Sequence, residues 1–227
     1  MKDAMNPITE DDIANYLANN PAFFERHAQL LASVQLTSPH GARAVSLQER
    51  QAEMLREKIK GLEQKIMEMI RHGNENVQIA DRLQRWARNL FLTHEPKDVP
   101  RTVASEIEAQ FMVPQAAIKV WDVAEGYAGE SFAQGVSDDA KAFASSLTTP
   151  YCGVNAGLEP VAWLAEPALA MSVALIPLRP GSVTAAGPAF GLLVLASPDP
   201  QRFHAGMGTD FLERIAEFAS ASLSRLR

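Results

Sequence analysis

From Ser46 to about Thr93 the chain contains no proline, and its apolar positions alternate by three and four. Positions 52, 55, 59, 62, 66, 69, 73, 76, 80, 83, 87 and 90 read Ala, Leu, Ile, Leu, Ile, Met, Gly, Asn, Ala, Leu, Ala and Leu. That spacing predicts one long helix with an apolar seam, because a heptad repeat keeps its a and d positions against a partner helix. With Ala52 at a, Ile59 and Ile66 fall at a while Leu55, Leu62 and Met69 fall at d, the combination that favours two parallel strands. A homodimer is therefore expected, with Leu55, Ile59, Leu62, Ile66, Met69, Leu83 and Leu90 along its seam. Lys58 at g and Glu63 at e add an interchain ion pair worth roughly 0–1 kcal/mol. At ~1.5 Å per residue the helix is roughly 70 Å long, more than a globular domain requires.

The stripe fails at Gly73 and Asn76, where Ile70, Val77 and Ile79 place apolar surface beside it. Here the helix is expected to change neighbours. Gly73 reads either as a tolerated interruption, costing ~1 kcal/mol relative to alanine, or as a flexible point in a signalling helix.

Two other segments flank it, giving predicted regions 1–45, 46–93 and 94–227. In the first, Thr9 caps a helix bearing Ile13, Tyr16 and Leu17, and Asn20-Pro21 restarts a second bearing Phe23, Phe24, Leu30, Leu31 and Val34. Two short helices cannot bury so many large side chains alone, which makes Tyr16, Phe23 and Phe24 candidates for docking a protein partner. Ser38-Pro39-His40-Gly41 ends the helical pattern. In the last region a helix from about Asp98 to Gln110 buries Val99, Val103, Ile107 and Phe111. Strand-like runs follow at 116–122, 127–133, 172–179 and 190–197, with 180–188 as a hairpin connection. Thr209 caps a final helix with Phe211, Leu212, Ile215, Phe218, Ala219, Leu223 and Leu226 at helical spacing. The expected fold class is α+β: short N-terminal helices, a long coiled-coil helix, then a central antiparallel sheet flanked by helices.

Charge and composition exclude several function classes. The formal net charge is -6, and residues 94–227 hold 9 basic and 15 acidic side chains, which repels a polyphosphate backbone. Arg82, Arg85 and Arg88 read as a solvated helix face, so nucleic acid is not an expected partner. No apolar run approaches the ~18 residues of a membrane span, and residues 1–17 lack the basic-then-apolar pattern of a secretion signal. With Cys152 as the single cysteine, no internal disulfide can form, and a cytoplasmic location is expected.

Catalysis finds no constellation to rest on. Cys152 is the only thiol, and His94 and His204 are the only histidines in the last region; nothing in the spacing brings a base to the thiol. Tyr151-Cys152-Gly153 reads as a turn holding a small buried side chain. Asp138-Asp139 sit where a helix dipole favours negative charge, and Asp199 lies in a Ser-Pro-Asp-Pro turn. One histidine does not make a metal site, so no metal is expected and the cofactor is left unknown. The chain is expected not to be an enzyme.

The opening helix, the sheet with an irregular middle, the pair SVALIPLR and FGLLVLAS, and the closing helix together resemble a GAF domain. Further strings resemble the bacterial family DUF484. They are Tyr16-Leu17 with Asn20-Pro21-Ala22-Phe23-Phe24, Pro39-His40-Gly41, Val45-Ser46-Leu47 with Glu49-Arg50-Gln51, and Arg202-Phe203 with Met207-Gly208-Thr209-Asp210-Phe211-Leu212. The GAF resemblance implies a small-molecule pocket between the sheet and the irregular segment, or a dimerising module that leaves it unused. The Asn-Lys pair of cyclic-nucleotide members is missing, Cys152 is followed by Gly153 instead of the histidine of bilin-binding members, and one cysteine cannot resolve an oxidised intermediate as methionine sulfoxide reductases of this fold do. By that resemblance and by residue type, Trp121, Phe132, Tyr151, Cys152 and Trp163 are candidate pocket walls, with Arg179 as a candidate anion anchor. Two functions are expected to compete: a dimeric sensor that passes the state of an unidentified small molecule or partner along the coiled coil, and an adaptor that docks a protein through its N-terminal helices without a ligand.

Overall fold

The computed structural model describes residues 8–33, 35–37, 44–181 and 187–227, and the chain divides into two compact units at the Gly73–Asn74 peptide. In the first unit, α1 (Glu10–Asn19) opens on a capping box. The Asp12 amide donates to Thr9 Oγ1 at 3.2 Å while the Thr9 amide donates back to Asp12 Oδ2 at 2.9 Å, satisfying two amides a helix start would leave bare. Asn20-Pro21 does restart the helix, but His27 leaves the helical region and divides the single expected helix into α2 (Ala22–Arg26) and α3 (Ala28–Ser33). A short antiparallel pair that the apolar pattern did not announce follows, β1 (Gln35–Thr37) with β2 (Ala44–Ser46), Leu36 opposite Val45. Val34 and the breaker at 38–41 lie outside the described residues. Helix α4 (Leu47–Leu92) then runs unbroken through Gly73, where an added Cβ would meet nothing within 4 Å. Packing therefore does not demand glycine there.

The second unit, which includes the last turns of α4, holds a four-stranded antiparallel sheet between two helical layers. Its elements are α5 (Val99–Phe111), β3 (Gln115–Val120), α6 (Asp138–Ser146), β4 (Tyr151–Val154), β5 (Ser172–Leu178), β6 (Gly191–Ser197) and α7 (Asp210–Leu223). Strand order is β3-β6-β5-β4, with Ile118 opposite Leu193, Ile176 opposite Leu193 and Cys152 opposite Ala174. Every residue of β5 and β6 is buried, which explains why those runs are continuously apolar: both faces of the sheet are covered.

Alternation sorts the side chains between the faces. Ala174, Ile176, Leu178, Leu193 and Leu195 join Val103 and Ile107 of α5, Ile215 and Leu223 of α7, and Trp86 of α4. Val173, Leu175, Leu192, Val194 and Ala196 join Trp121, Ala144, Val161 and Leu164 on the opposite side. Pro177 sits beyond the last β4 pairing, Tyr151 with Leu175, so its missing N–H removes no rung between β5 and β4. Gly191 is required by contact: a Cβ there would lie 2.9 Å from the Lys119 carbonyl oxygen.

Three expectations need correction. Residues 127–133 form turns, closed by the Tyr127 amide to Ala124 O, the Glu130 amide to Tyr127 O and the Ala133 amide to Glu130 O. Lys119 Nζ captures the carbonyls of Ser131 and Gln134 at 2.6 and 2.7 Å, holding the segment beside β3 in place of a strand. Tyr151-Cys152-Gly153 is the start of edge strand β4, not a turn. Thr209 precedes α7, yet its hydroxyl donates to Glu213 Oε1 at 2.9 Å and accepts no backbone amide. The connection at 182–186 lies outside the described residues.

Candidate functional site

Along the N-terminal part of α4 the predicted seam is laid out to solvent. Leu55, Ile59, Leu62, Ile66 and Met69 keep between 52% and 69% of their accessible surface, and all five share one helix face through the 3–4 alternation. Neighbouring charges include the Arg50–Glu53 ion pair at 2.8 Å. Farther along, the same alternation has another use. Leu83 and Leu90, assigned from sequence to the dimer seam, are 6% and 2% exposed and belong to this chain's own core. The reason is Trp86. Fully buried, it sits three residues after Leu83 and four before Leu90, and its indole N–H donates to Val103 O of α5 at 3.4 Å. Asn89 Nδ2 adds a 2.8 Å bond to Glu106 Oε2. The 83–86–90 spacing was the signal for this second partner, since it matches a stripe facing α5 as well as it matches a heptad.

The six candidate pocket residues do not converge. Trp121, Tyr151 and Trp163 belong to the face covered by α6 and the 3-10 turns, whereas Phe132 and Cys152 belong to the face covered by α5 and α7. Trp121 is a clamp: its Nε1 donates to Ala189 O at 2.7 Å. Arg179, read from sequence as an anion anchor or as a strand end emerging into water, is 4% exposed. Its Nη2 donates to Ser145 O at 2.8 Å and its Nε to Gly187 O at 3.0 Å. A cation on the last-turn carbonyls of α6 satisfies groups the helix cannot pair itself, so the side chain joins α6 to the β5–β6 connection. A Cβ at Gly153 would lie 2.8 Å from the Tyr151 hydroxyl, so a larger residue there would require the tyrosine ring to shift. Burial pushes the Cys152 thiol above its ordinary value, the opposite of what a reactive thiolate needs.

Grooves in the second unit lie elsewhere. One of about 670 Å³ runs between α4 and α7, with Ala80, Ala87, Phe91 and Phe218 as walls and Arg88, Arg214 and Glu217 around them. Another, of about 310 Å³, opens between α5 and the start of α7 and is lined by Arg82, Phe111, Met207 and Phe211 among others. None of the six candidate pocket residues lines either groove. In the first unit Tyr16, Phe23 and Phe24 do come together: ring centroids are 6.2 Å apart for Tyr16–Phe23 and 5.7 Å for Phe23–Phe24, both edge-on. His27 stacks on Phe23 at 4.6 Å. Among the described residues no cluster of three or more metal-ligating side chains occurs, and no helix is long and apolar enough to cross a membrane.

The family model described as "Protein of unknown function, DUF484" matches residues 3–227. The chain belongs to the DUF484 family. No curated protein matches it. Among solved structures, this DUF484 chain is similar to the GAF domain of a proposed sensor histidine kinase from Pseudomonas syringae pv. tomato. Identity is 17% and TM-score 0.45, over 68% of this chain and 91% of that one. It is also similar to the GAF domain from a phosphoenolpyruvate-protein phosphotransferase of Coxiella burnetii, at 14% identity and TM-score 0.46 over 66% and 94% of the two chains. The GAF domain of the potassium sensor histidine kinase KdpD from Escherichia coli matches at 14% identity and TM-score 0.40 over 65% and 94%. These are likenesses of outline; the α+β architecture rests on the strand order and the two packed faces.

Proposed function

We propose that this DUF484 protein is a non-catalytic, cytoplasmic homodimeric regulatory module, in which two parallel copies of α4 pair through Leu55, Ile59, Leu62, Ile66 and Met69 and link the state of the second unit to the first. One observation carries the reading: five large apolar side chains at heptad spacing lie on one face of an unbroken helix, all more than half exposed. Burying such a side chain is worth roughly 1.5–3 kcal/mol, and a second copy supplies a complementary stripe in register. Sedimentation equilibrium on the full chain at micromolar concentration tests it, with dimer expected; a monomer there sinks the proposal. Orientation is read by Leu55→Cys, since a d position at the end of the seam meets its own copy and forms an interchain disulfide under mild oxidation only in a parallel pair, whereas native Cys152 is buried. Sensing belongs to the second unit in this reading, and a thermal shift of its unfolding by metabolites or nucleotides is the expected sign of an input.

The adaptor reading has its own support in the Tyr16–Phe23–Phe24 cluster, because edge-on rings at the surface of short helices form a preassembled aromatic anchor. Capture of a protein partner by the intact chain, lost on Tyr16→Ser with Phe24→Ser, is the outcome it requires. Equal capture by both proteins removes it.

A further inference from the structure

The string Arg202-Phe203 with Met207 to Leu212 has no part in the dimer seam, yet its residues meet at one place. Arg202, Phe203, Met207, Phe211 and Leu212 form one wall of the cavity of about 310 Å³ in the second unit. Phe111, Met112 and Val113 at the end of α5 form another, and Ile79 and Arg82 of α4 complete it. The interior is apolar down to buried Ile107 and Leu195. Phe111 and Phe211 meet edge-on with centroids 5.0 Å apart, and the two methionines supply flexible thioethers that adapt to a ligand's shape.

Its charges all have one sign. The chain carries a net charge of -6, but among the described residues lining this cavity the only charged ones are Arg82 and Arg202. Arg202 commits Nη2 to the Phe111 carbonyl at 2.9 Å and lies 5.9 Å from the Phe203 ring centroid. That carbonyl fixes the guanidinium at the cavity edge and leaves its other donors for a ligand. Arg82 is half-buried and, among the described residues, its side chain has no hydrogen bond or ion pair. An adjoining groove shares Ile79 and Phe211 but is lined by both Asp210 and Arg214, so its rim is of mixed sign where this cavity's is cationic. A guanidinium pairs a carboxylate through two parallel N–H bonds, and a volume near 300 Å³ is at the small end of ligand sites.

We propose that this cavity binds a small apolar carboxylate, its tail against the paired rings of Phe111 and Phe211 and its head group on Arg82 and Arg202. The site is separate from the coiled-coil seam and does not rest on the dimer. The test is methyl NMR of the full-length protein carrying carbon-13 at its methionine methyls. Octanoate is titrated first, 4-phenylbutyrate second, with 1-octanol and octylammonium as controls of tail and charge. Saturable shifts of Met112 and Met207 with a carboxylate are expected, with far weaker response to octanol and none to octylammonium. Tighter binding of octanoate or of phenylbutyrate identifies an acyl-chain or an aromatic source. Arg82→Gln weakens binding by about tenfold or more, as loss of a charge-assisted pair requires, and Arg82→Gln with Arg202→Gln removes it. Unmoved Met112 and Met207 signals at millimolar carboxylate overturn the proposal. So do equal responses to octanol and octanoate, or undiminished binding by folded Arg82→Gln.

Discussion

Two stretches of one helix use the same spacing differently. Between Leu55 and Met69 the stripe faces solvent, while between Leu83 and Leu90 it is closed against α5. The residue types hardly differ: leucine, isoleucine and methionine in one, leucine and alanine in the other. What differs is what the chain supplies beside them. Past Asn74 the sequence provides Val99, Val103 and Ile107 on α5, four residues apart and all fully buried, and Trp86 reaches into them. Before Gly73 the described residues place nothing over the stripe. A heptad pattern states that a face is to be buried; it does not state whether the covering comes from the same chain or from another.

The largest effect that bears on this contrast is expected at Trp86. Trp86→Ala removes a fully buried ring and is expected to cost ~3–5 kcal/mol of unfolding free energy, read from urea titrations of the second unit's near-ultraviolet signal. Ile59→Ala, at the same kind of position in the exposed stretch, is expected to leave that transition in place. A comparable loss from Ile59→Ala would erase the distinction between the stretches.

Next comes the seam. Ile59→Asp with Ile66→Asp places charges where two copies are to meet, and is expected to weaken the dimer about a hundredfold or more, or ~3 kcal/mol. The read-out is sedimentation at micromolar concentration, with Leu83→Ala as the comparator. Leu83→Ala is expected to lower stability while leaving association largely intact, because its side chain is already buried in its own unit.

Arg179 is expected to follow. Arg179→Met keeps the aliphatic stem but strips the donors that Ser145 O and Gly187 O accept. Leaving such carbonyls unpaired costs ~1–3 kcal/mol, without the loss of any ligand if the side chain is purely a clamp. A metabolite-induced thermal shift present in the parent protein and abolished in Arg179→Met would return the residue to a binding role.

How far the sequence announced all this depends on the kind of physics involved. Period-2 and period-3.6 patterns are local, and the strands Ser172–Leu178 and Gly191–Ser197 and helices α1, α5 and α7 follow from them closely. The turns at 127–133 did not, because Lys119, a dozen residues earlier, supplies the bonds that hold them. Edge strand β4 is four residues long and contains a glycine, too short to carry a period. The pocket candidates were chosen by residue type, and type cannot say which sheet face a side chain joins: Tyr151 and Cys152 are adjacent in sequence and belong to opposite cores. Arg82 was legible only as part of a solvated helix face and Arg202 only as part of a family string, since 120 positions separate them and the cavity exists only once α4, α5 and α7 have packed.

The smallest effects are two titrations, one in each unit and opposite in direction. In the second unit, burial raises the Cys152 thiol above its ordinary value. Above roughly pH 8.5, where an unfolded thiol ionises, the native chain therefore holds a proton that the unfolded chain releases. This contribution is fully present at lower pH and is lost as pH rises through the interval between the two values. Cys152→Ala is expected to flatten that alkaline decline. In the first unit Asp12 is held below its ordinary value, first by the Thr9 hydroxyl, which donates to Oδ2 at 2.6 Å, and then by the Thr9 amide. Its contribution is present above roughly pH 3.9 and is lost as pH falls through the depressed value, so α1 is expected to fray at acid pH while the sheet persists. Amide exchange at Asp12 and Ile13 reads the fraying, and Asp12→Asn is expected to remove its pH dependence. Acid loss of sheet protection in step with α1 would mean that the two units do not titrate separately, and the contrast drawn along α4 would not extend to the rest of the chain.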